Sequence, residues 1–286
     1  MIFKFGIKII KFLCSFVPAK KLRRNIRKKL LNNWSDLTGN IFFSTSLLFD
    51  EYTSLNSLIK PDDRILILTP HPDDESIGMG GILAKYGKQC DVLCVNSSGV
   101  KYTNDTLSAE MIAEERIQEF NSVMNFFSVP NYWIWKIWGN SPHFDKILAH
   151  KREYMDVLDF EKYTIIFTPD ENDAHREHQF LTKYLLPIML KQKKHNRKLL
   201  IAYYSVWNTI SSPNYFEDIS DVIKQKEAGI LLYKSRTQNE HNYARRIVGL
   251  NYYLGLLCNC AYAESFFVQP IDVYLNKCFD RNWAHK

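Results

Sequence analysis

The chain has no uninterrupted apolar run of about 20 residues, which a membrane-spanning helix requires. It also has no internal repeat, no low-complexity tract, and no pair among its six cysteines at a zinc-finger spacing. These absences argue against a transmembrane protein, a repeat protein and a zinc finger, and they favour reduced, buried thiols in a cytoplasmic protein. The 286 residues, of which 46% are hydrophobic, are sufficient for one large domain with an extension.

Acidic residues are missing from the first 34 positions, which contain ten Lys and Arg residues. Subtracting these ten from the 37 basic residues of the chain leaves 27, against 31 acidic residues. The net charge of +6 therefore belongs to the beginning of the chain, the remainder is mildly acidic, and we expect no nucleic acid partner. We predict a basic N-terminal extension over residues 1–50 and a catalytic domain over residues 51–286.

The extension has the pattern of an amphipathic helix, with apolar side chains on one face and lysines on another. The apolar members are Phe5, Ile9, Phe12 and Phe16. This pattern is typical of a helix that lies on an anionic membrane surface, so residues 1–34 are predicted to hold the protein peripherally at the inner face of the membrane. A helix packed on its own domain or on a second subunit explains the pattern too. A secretory signal is disfavoured because Lys8 and Lys11 interrupt its apolar core.

Short apolar runs alternate with amphipathic segments in the rest of the chain. The predicted strands are 65–69, 92–97, 132–137, 164–168 and 199–207, and the predicted helices lie near 77–87, 107–127, 143–159, 178–191 and 221–236. This alternation indicates an α/β, Rossmann-like fold with a mainly parallel sheet and helices on both faces. Ligands of such sheets bind just beyond the carboxyl ends of the strands.

Two clusters of histidine and acidic residues follow two of these strands. The first runs from His71 to Glu75, and the second runs from Asp170 to His178. Because both clusters leave the same edge of the sheet, residues about a hundred positions apart can share one metal ion. His175 and His178 are three positions apart, which puts both imidazoles on one side of a helix. Helix capping by the aspartates and solvated surface histidines remain the structural alternatives.

The clusters resemble the two signature motifs of the LmbE/PIG-L-like family of zinc-dependent N-acetylglucosaminyl deacetylases. His71-Pro72-Asp73-Asp74-Glu75, followed by Gly78, Gly80 and Gly81, matches the first motif. His175-Arg176-Glu177-His178 matches the second, although glutamate stands at 177 where aspartate is commoner. The resemblance extends over most of Arg64 to Phe266, and later segments support it less specifically.

The resemblance implies a zinc site made by His71, Asp74 and His178. Two imidazoles and one carboxylate suit a hydrolytic Zn²⁺ that keeps a coordination position open. Zinc in such a site acidifies water and polarises an amide carbonyl.

The resemblance also implies roles for four further residues. Asp73 would be the general base, and His175 would face the developing oxyanion or protonate the departing amine. Glu177 would orient the neighbouring His175. Arg116, part of an Arg-x-x-Glu pair, would contact the sugar, although an exposed ion-pair face explains this arginine as well.

These expectations describe a zinc-dependent hydrolase that removes the acetyl group from an N-acetylated amino sugar. The basic extension favours a lipid-linked or cell-envelope glycan precursor as the substrate. Alternatives are a catalytically silent carbohydrate-binding protein at a membrane, and a zinc amidohydrolase that acts on a non-sugar amide. A glycosyltransferase would need an Asp-x-Asp after a strand, which the histidine-flanked acids do not match. The aromatic run from Tyr132 to Trp138 is expected either to line a sugar cleft or to fill the core.

Overall fold

Short apolar runs form the strands of one central sheet in the computed structural model, which describes residues 53–98, 107–136, 145–149, 156–237 and 243–283. All of these residues belong to the unit Tyr52–Lys286. The strands are β1 (Arg64–Thr69), β2 (Cys90–Cys94), β3 (Asn131–Ile134), β4 (Tyr163–Pro169), β5 (Leu200–Tyr204), β6 (Tyr215–Asp218) and β7 (Ala263–Pro270). Their order across the sheet is β3-β2-β1-β4-β5-β7-β6.

The pairing confirms the predicted, mainly parallel sheet. β1 pairs in parallel with β2 and β4, and parallel pairing continues to β3 on one side and β5 on the other. The last two strands depart from this pattern, because β7 is antiparallel to both β5 and β6. β1 and β4 are neighbours, so the loops that follow them leave the sheet side by side.

Helices cover both faces of this sheet, as predicted. The helices are α1 (Asp74–Tyr86), α2 (Ala109–Phe126), α3 (Arg176–Phe180), α4 (Leu186–Gln192), α5 (Ile223–Leu231), α6 (Lys234–Thr237), α7 (Tyr243–Leu257) and α8 (Ile271–Trp283). A π-helical segment joins α3 to α4, and residues 145–149 are also helical. β1 shows how one strand serves two cores, since Ile65 and Ile67 join one apolar cluster while Leu66 and Leu68 join the other.

The glycines after the first motif allow α1 to pack very closely on its neighbours. A Cβ atom added at Gly78 would lie 2.3 Å from the ring of Tyr204, and one added at Gly81 would lie 2.3 Å from Cγ2 of Ile219. At Gly80 the added atom would lie 2.7 Å from Cγ of Lys226. Larger side chains at these positions would therefore push the first turns of α1, and the motif residues in them, out of place.

A buried ion pair holds α1, α5 and β7 together. Lys226 and Glu264 are 1% and 2% exposed, and Lys226 Nζ donates to Glu264 Oε1 at 2.7 Å. The same carboxylate accepts from the backbone N–H of Gly81 at 2.8 Å and from that of Ile82 at 3.1 Å. With three polar contacts to its two oxygens, the buried carboxylate is well compensated.

Replacing Lys226 with methionine is therefore expected to lower the free energy of unfolding by about 3–5 kcal/mol, because a buried carboxylate loses its countercharge. The measurement is equilibrium denaturation in urea. Lys224→Met is the matched control, since this side chain is 87% exposed and its pair with Glu227 lies on the surface. Equal stability of the two variants would contradict the structural role given to the buried pair.

The described part of the aromatic run from Tyr132 to Trp138 mostly packs into the core, which is one of its two expected roles. Trp135 is fully buried in an apolar cluster, and the Tyr132 ring packs edge-on against Phe120 with centroids 6.0 Å apart. Trp133 is partly buried against the same cluster as Trp135. Trp138 lies outside the described residues.

The described cysteines form no disulfides, and all but Cys260 are buried. The predicted amphipathic helix over residues 1–34 and the predicted extension over residues 1–50 lie outside the described part of the chain. Within residues 53–283, as far as they are described, none of the helices combines the length and the hydropathy that a bilayer crossing needs.

Candidate metal centre

The two motif loops meet at the carboxyl edge of the sheet. β1 ends at Thr69 and α1 begins at Asp74, so the first cluster forms the tight connection between them. β4 ends at Pro169 and α3 begins at Arg176, so the second histidine pair lies at the start of a helix. Parallel pairing of β1 with β4 is what brings the two loops together.

Three donor atoms form a small triangle between these loops. His71 Nδ1 lies 3.1 Å from Asp74 Oδ2, His178 Nε2 lies 3.1 Å from the same oxygen, and the two nitrogens are 3.3 Å apart. A tetrahedral zinc ion with ligand bonds of about 2.0–2.2 Å separates its ligand atoms by about 3.3 Å. The three side chains therefore fit a divalent ion of this kind without rearrangement.

A second possible donor set shares two members of the first. His71, His175 and His178 offer nitrogen atoms that all lie within 4.8 Å of one another. This upper limit is looser than the tetrahedral ligand spacing of about 3.3 Å, which the set with Asp74 meets at 3.1–3.3 Å. His175 is also the exposed member of the three, whereas His178 is fully buried. The set with Asp74 is therefore the better fit, and His175 stands beside it.

A carboxylate lies beside the outer nitrogen of the imidazoles of His71 and His178. His71 Nε2 donates to Glu177 Oε2 at 2.6 Å, and His178 Nδ1 lies 3.2 Å from Asp173 Oδ1. Asn96 Nδ2 donates to the same oxygen of Glu177 at 2.8 Å. A proton on the outer nitrogen leaves the inner nitrogen of each ring with a free lone pair for a metal.

Glu177 has a partner that the sequence did not suggest, and its predicted role in orienting His175 stays a prediction. Its side chain lies in the first turn of α3 and reaches across to the β1 loop, where it contacts His71. Burial raises the pKa of the Glu177 carboxyl, but the contacts with His71 and Asn96 outweigh burial and lower the pKa to about 2. The side chain is thus an ionised acceptor at neutral pH.

We expect Glu177→Gln to weaken metal binding by about 10–100-fold, because an amide is a poorer acceptor for the outer N–H of His71. The measurement is the dissociation constant for Zn²⁺ in competition with a chelator of known affinity. Glu115→Gln, an exposed position on α2, supplies the control for the chemical change itself. Unchanged affinity in Glu177→Gln would show that the carboxylate does not support the metal ligand.

Asp73 occupies a strained position next to the donor triangle. Its backbone φ of 116° lies in a region that residues other than glycine rarely adopt. Its side chain makes no capping hydrogen bond to α1, so the capping alternative does not hold for it. Instead, Arg116 Nη2 lies 3.1 Å from Asp73 Oδ1, and the backbone N–H of Asp73 donates to Glu75 Oε2 at 3.2 Å.

The structure corrects the expected place of Arg116. It is 2% exposed, so it is not accessible to a bound sugar, and it does not belong to an exposed ion-pair face. Its guanidinium donates to Ser98 Oγ at 2.8 Å and to the Pro72 carbonyl. The helix α2 packs over the first motif loop, which puts the guanidinium against Asp73 and makes Arg116 a positioning residue.

A third motif acid, Glu75, is buried behind Asp73. Tyr233 donates its hydroxyl proton to Glu75 Oε1 at 2.6 Å, and Ser76 Oγ donates to the same oxygen at 2.9 Å. Burial is the main reason that the pKa of Glu75 rises to about 7. Glu75 thus supports the backbone of Asp73 from inside the protein.

His175 caps α3 with its own side chain. Its Nδ1 accepts from the backbone N–H of Glu177 at 3.3 Å. In the neutral imidazole the proton must therefore be on Nε2, which remains available as a donor. The His175 ring centroid lies 4.9 Å from those of both His71 and His178, so the donor stands next to the metal ligands.

Sequence reasoning missed four residues that complete the site: Asn96, Ser98, Asp173 and Tyr233. Asn96 and Ser98 follow the carboxyl end of β2, where site residues are expected, but single polar residues carry no motif signal. Asp173 lies within the second cluster, although no role was predicted for it. Its Oδ1 accepts from the backbone N–H of His175 at 2.8 Å as well as contacting His178.

The fold and the donor cluster define a class of protein: α/β proteins with a metal-binding site at the carboxyl edge of a mainly parallel sheet. Residues 66–189 match the family described as "PIG-L: GlcNAc-PI de-N-acetylase". This stretch contains both motif loops and every residue of the two possible metal-donor sets. The chain therefore contains a PIG-L family domain.

Individual relatives agree with this assignment. The diacetylchitobiose deacetylase of Thermococcus kodakarensis is 24% identical over 241 residues, which cover 75% of this chain and 86% of that protein. The N,N'-diacetylchitobiose deacetylase from Pyrococcus horikoshii has a similar fold, with a TM-score of 0.62 and 21% identity over 82% of this chain and 92% of its own.

A second solved structure shows that proteins of this fold catalyse more than one reaction. The 4-carboxy-2-hydroxymuconate hydratase GalB from Pseudomonas putida matches with a TM-score of 0.55 and 15% identity, over 72% of this chain and 95% of its own. The reaction must therefore be argued from the site rather than from the fold.

Proposed function

We propose that this protein is a zinc-dependent deacetylase that hydrolyses the N-acetyl group of an amino sugar. The observation that carries the proposal is the compact triangle of His71, Asp74 and His178 donors, with Asp73 directly before Asp74 and fixed by Arg116. The family match and the two diacetylchitobiose deacetylases support a sugar amide as the substrate class.

His71, Asp74 and His178 would hold the zinc ion, which supplies Lewis-acid polarisation of the amide carbonyl and acidification of water. Asp73 accepts the proton that the attacking water loses as its oxygen bonds to the carbonyl carbon. The buried Arg116 guanidinium, 3.1 Å from Asp73 Oδ1, fixes this carboxylate in direction.

His175 serves the other side of the reaction. Its Nε2–H donates to the oxygen that becomes negative, and a proton must also reach the nitrogen when the C–N bond breaks. The products are acetate and the free amine of the sugar. His175 is suited to proton donation because its side chain is exposed while its Nδ1 accepts a hydrogen bond from the helix backbone.

The proposed substrate is a lipid-linked or cell-envelope glycan precursor, and the proposed location is the cytoplasm at the inner face of the membrane. The support is the sequence of residues 1–34, which has ten basic and no acidic residues. This part of the proposal is separate from the reaction and is tested separately.

The decisive experiment combines elemental analysis with an acetate-release screen. The substrates are free, nucleotide-linked and lipid-linked N-acetylglucosamine, each with the protein as purified, after chelation, and after Zn²⁺ is restored. We expect about one zinc per chain, loss of acetate release on chelation and its return with Zn²⁺.

The outcomes separate the alternatives. Zinc-loaded protein that binds these sugars but releases no acetate would be a silent carbohydrate-binding protein. Acetate release from simple N-acetyl amides but from none of the sugars would indicate an amidohydrolase of another substrate class. Preference for the lipid-linked substrate would support the proposed location, and equal rates on all three would remove that support.

A further inference from the structure

A loop beyond β5 presents a half-exposed tryptophan at the same edge of the sheet as the metal centre. Trp207 is 50% exposed, three residues after the carboxyl end of β5. β5 pairs in parallel with β4, so this loop lies next to the loop that carries the second histidine pair. The position is where ligands of such sheets bind.

Buried side chains and hydrogen bonds fix this loop, so the exposure of the Trp207 ring is a feature of the folded protein. Val206 and Ile210, on either side of Trp207, are buried. The Asn208 side chain donates to the carbonyl of Asn172. The backbone N–H of Trp207 donates to Asp173 Oδ2 at 3.0 Å.

This last contact ties the tryptophan to the metal ligands. Asp173 uses its other oxygen to contact His178 Nδ1 and to accept the backbone N–H of His175. One carboxylate therefore fixes both the backbone of Trp207 and the two histidines of the second motif. The backbone of Trp207 is thus held beside the metal centre by the same carboxylate that contacts its ligand His178.

One side of the indole is backed by another aromatic ring. Tyr243, at the start of α7, lies with its centroid 6.4 Å from that of Trp207 and is 8% exposed. The tyrosine packs against an indole that stays half exposed. The other large exposed aromatic side chains of the described residues lie on helical segments and not in a loop of this edge: Phe126, Tyr184, Tyr252 and Tyr253.

We propose that Trp207, backed by Tyr243, is a stacking platform for a pyranose ring of the substrate. The apolar C–H face of a pyranose packs on an aromatic face, and burying an indole that is half exposed in the free protein supplies the driving force. The proposal rests on the proposed deacetylase function, because it assigns the sugar-binding subsite of that reaction.

The test compares Trp207→Ala, Trp207→Phe and the control Tyr252→Ala, an exposed aromatic on the middle of α7. Zinc content and thermal stability are measured first, because the contact to Asp173 uses the backbone of Trp207 and should survive each substitution. For acetate release from the best N-acetylglucosamine conjugate, we expect Trp207→Ala to lower kcat/KM by about ten-fold, mainly through KM. Trp207→Phe should keep most of the activity, and Tyr252→Ala should match the wild type.

A second readout does not depend on turnover. Binding of the deacetylated product, a glucosamine conjugate, is measured by calorimetry, and Trp207→Ala should weaken it by a similar factor. Wild-type activity with unchanged KM and product affinity in Trp207→Ala would overturn the platform and leave the proposed function standing. A loss confined to kcat, or a loss of zinc, would also overturn it, because Trp207 would then act through Asp173. An inactive, zinc-loaded wild type would overturn both proposals.

Discussion

Asp73→Asn is expected to lower kcat for acetate release by about 10²–10⁴-fold while the protein keeps its full zinc content. The substitution exchanges a carboxylate for an amide of the same size, which cannot accept the proton of water. Asparagine tolerates a positive φ better than most residues, so the strained backbone at 116° is no obstacle to folding. Activity and zinc content are measured on the same preparation.

Asp62→Asn provides the matched control, since it makes the same chemical change at an exposed position before β1. Activity in Asp73→Asn within about ten-fold of the wild type would rule out the proposed base, because proton transfer by a positioned group contributes more than that. Loss of zinc together with activity would instead make Asp73 part of the metal site. The two measurements thus separate a catalytic role from a ligand role at one position.

The strain at Asp73 has a structural explanation that also concerns its chemistry. A non-glycine residue at positive φ persists only when its surroundings fix it. Here the fixing groups are Arg116, which contacts the side chain, and Glu75, which accepts the backbone N–H. Both are buried, so the carboxylate is held in one direction before substrate arrives.

The first five strands could be predicted from the sequence because each is a short run rich in apolar residues. Four of these strands are almost entirely buried, and only β3, at the sheet edge, is half-buried to exposed. β7 escaped prediction because Glu264, Ser265 and Gln269 interrupt its apolar pattern, and all three are buried in the folded protein. Glu264 is polar in the core because Lys226 and two backbone N–H groups of α1 surround its carboxylate. Such compensation depends on the assembled tertiary structure and leaves no local signal.

In the site, too, features that are local in sequence could be predicted and contacts between distant segments could not. The motif residues were visible because each cluster is continuous in sequence. The contact of Glu177 with His71 could not be predicted, because sequence proximity favours His175, whereas the pairing of β1 with β4 brings His71 within 2.6 Å. The place of Arg116 was missed for a similar reason, since helix periodicity does not reveal that α2 packs over the first motif loop.

Asp74→Asn is expected to weaken zinc binding by at least about 100-fold, more than the loss of an outer partner of a metal ligand. Asp74 Oδ2 lies 3.1 Å from both His71 Nδ1 and His178 Nε2, so the substitution removes the only anionic donor of that triangle. A neutral amide is a poor ligand for a divalent ion. The measurement is zinc stoichiometry after dialysis against a weak chelator, followed by the dissociation constant.

His175→Ala distinguishes the two possible donor sets. If zinc is held by His71, Asp74 and His178, this variant keeps its zinc and loses activity, because only the donor to the substrate is removed. If the three histidines hold the ion, His175→Ala loses its zinc and Asp74→Asn keeps it. Asp73→Asn completes the comparison, since it makes the same change as Asp74→Asn one residue earlier. In that case Asp74 would be needed to bind the metal and Asp73 only for turnover. The turn between β1 and α1 would then assign the two tasks to neighbouring carboxylates by directing their side chains differently.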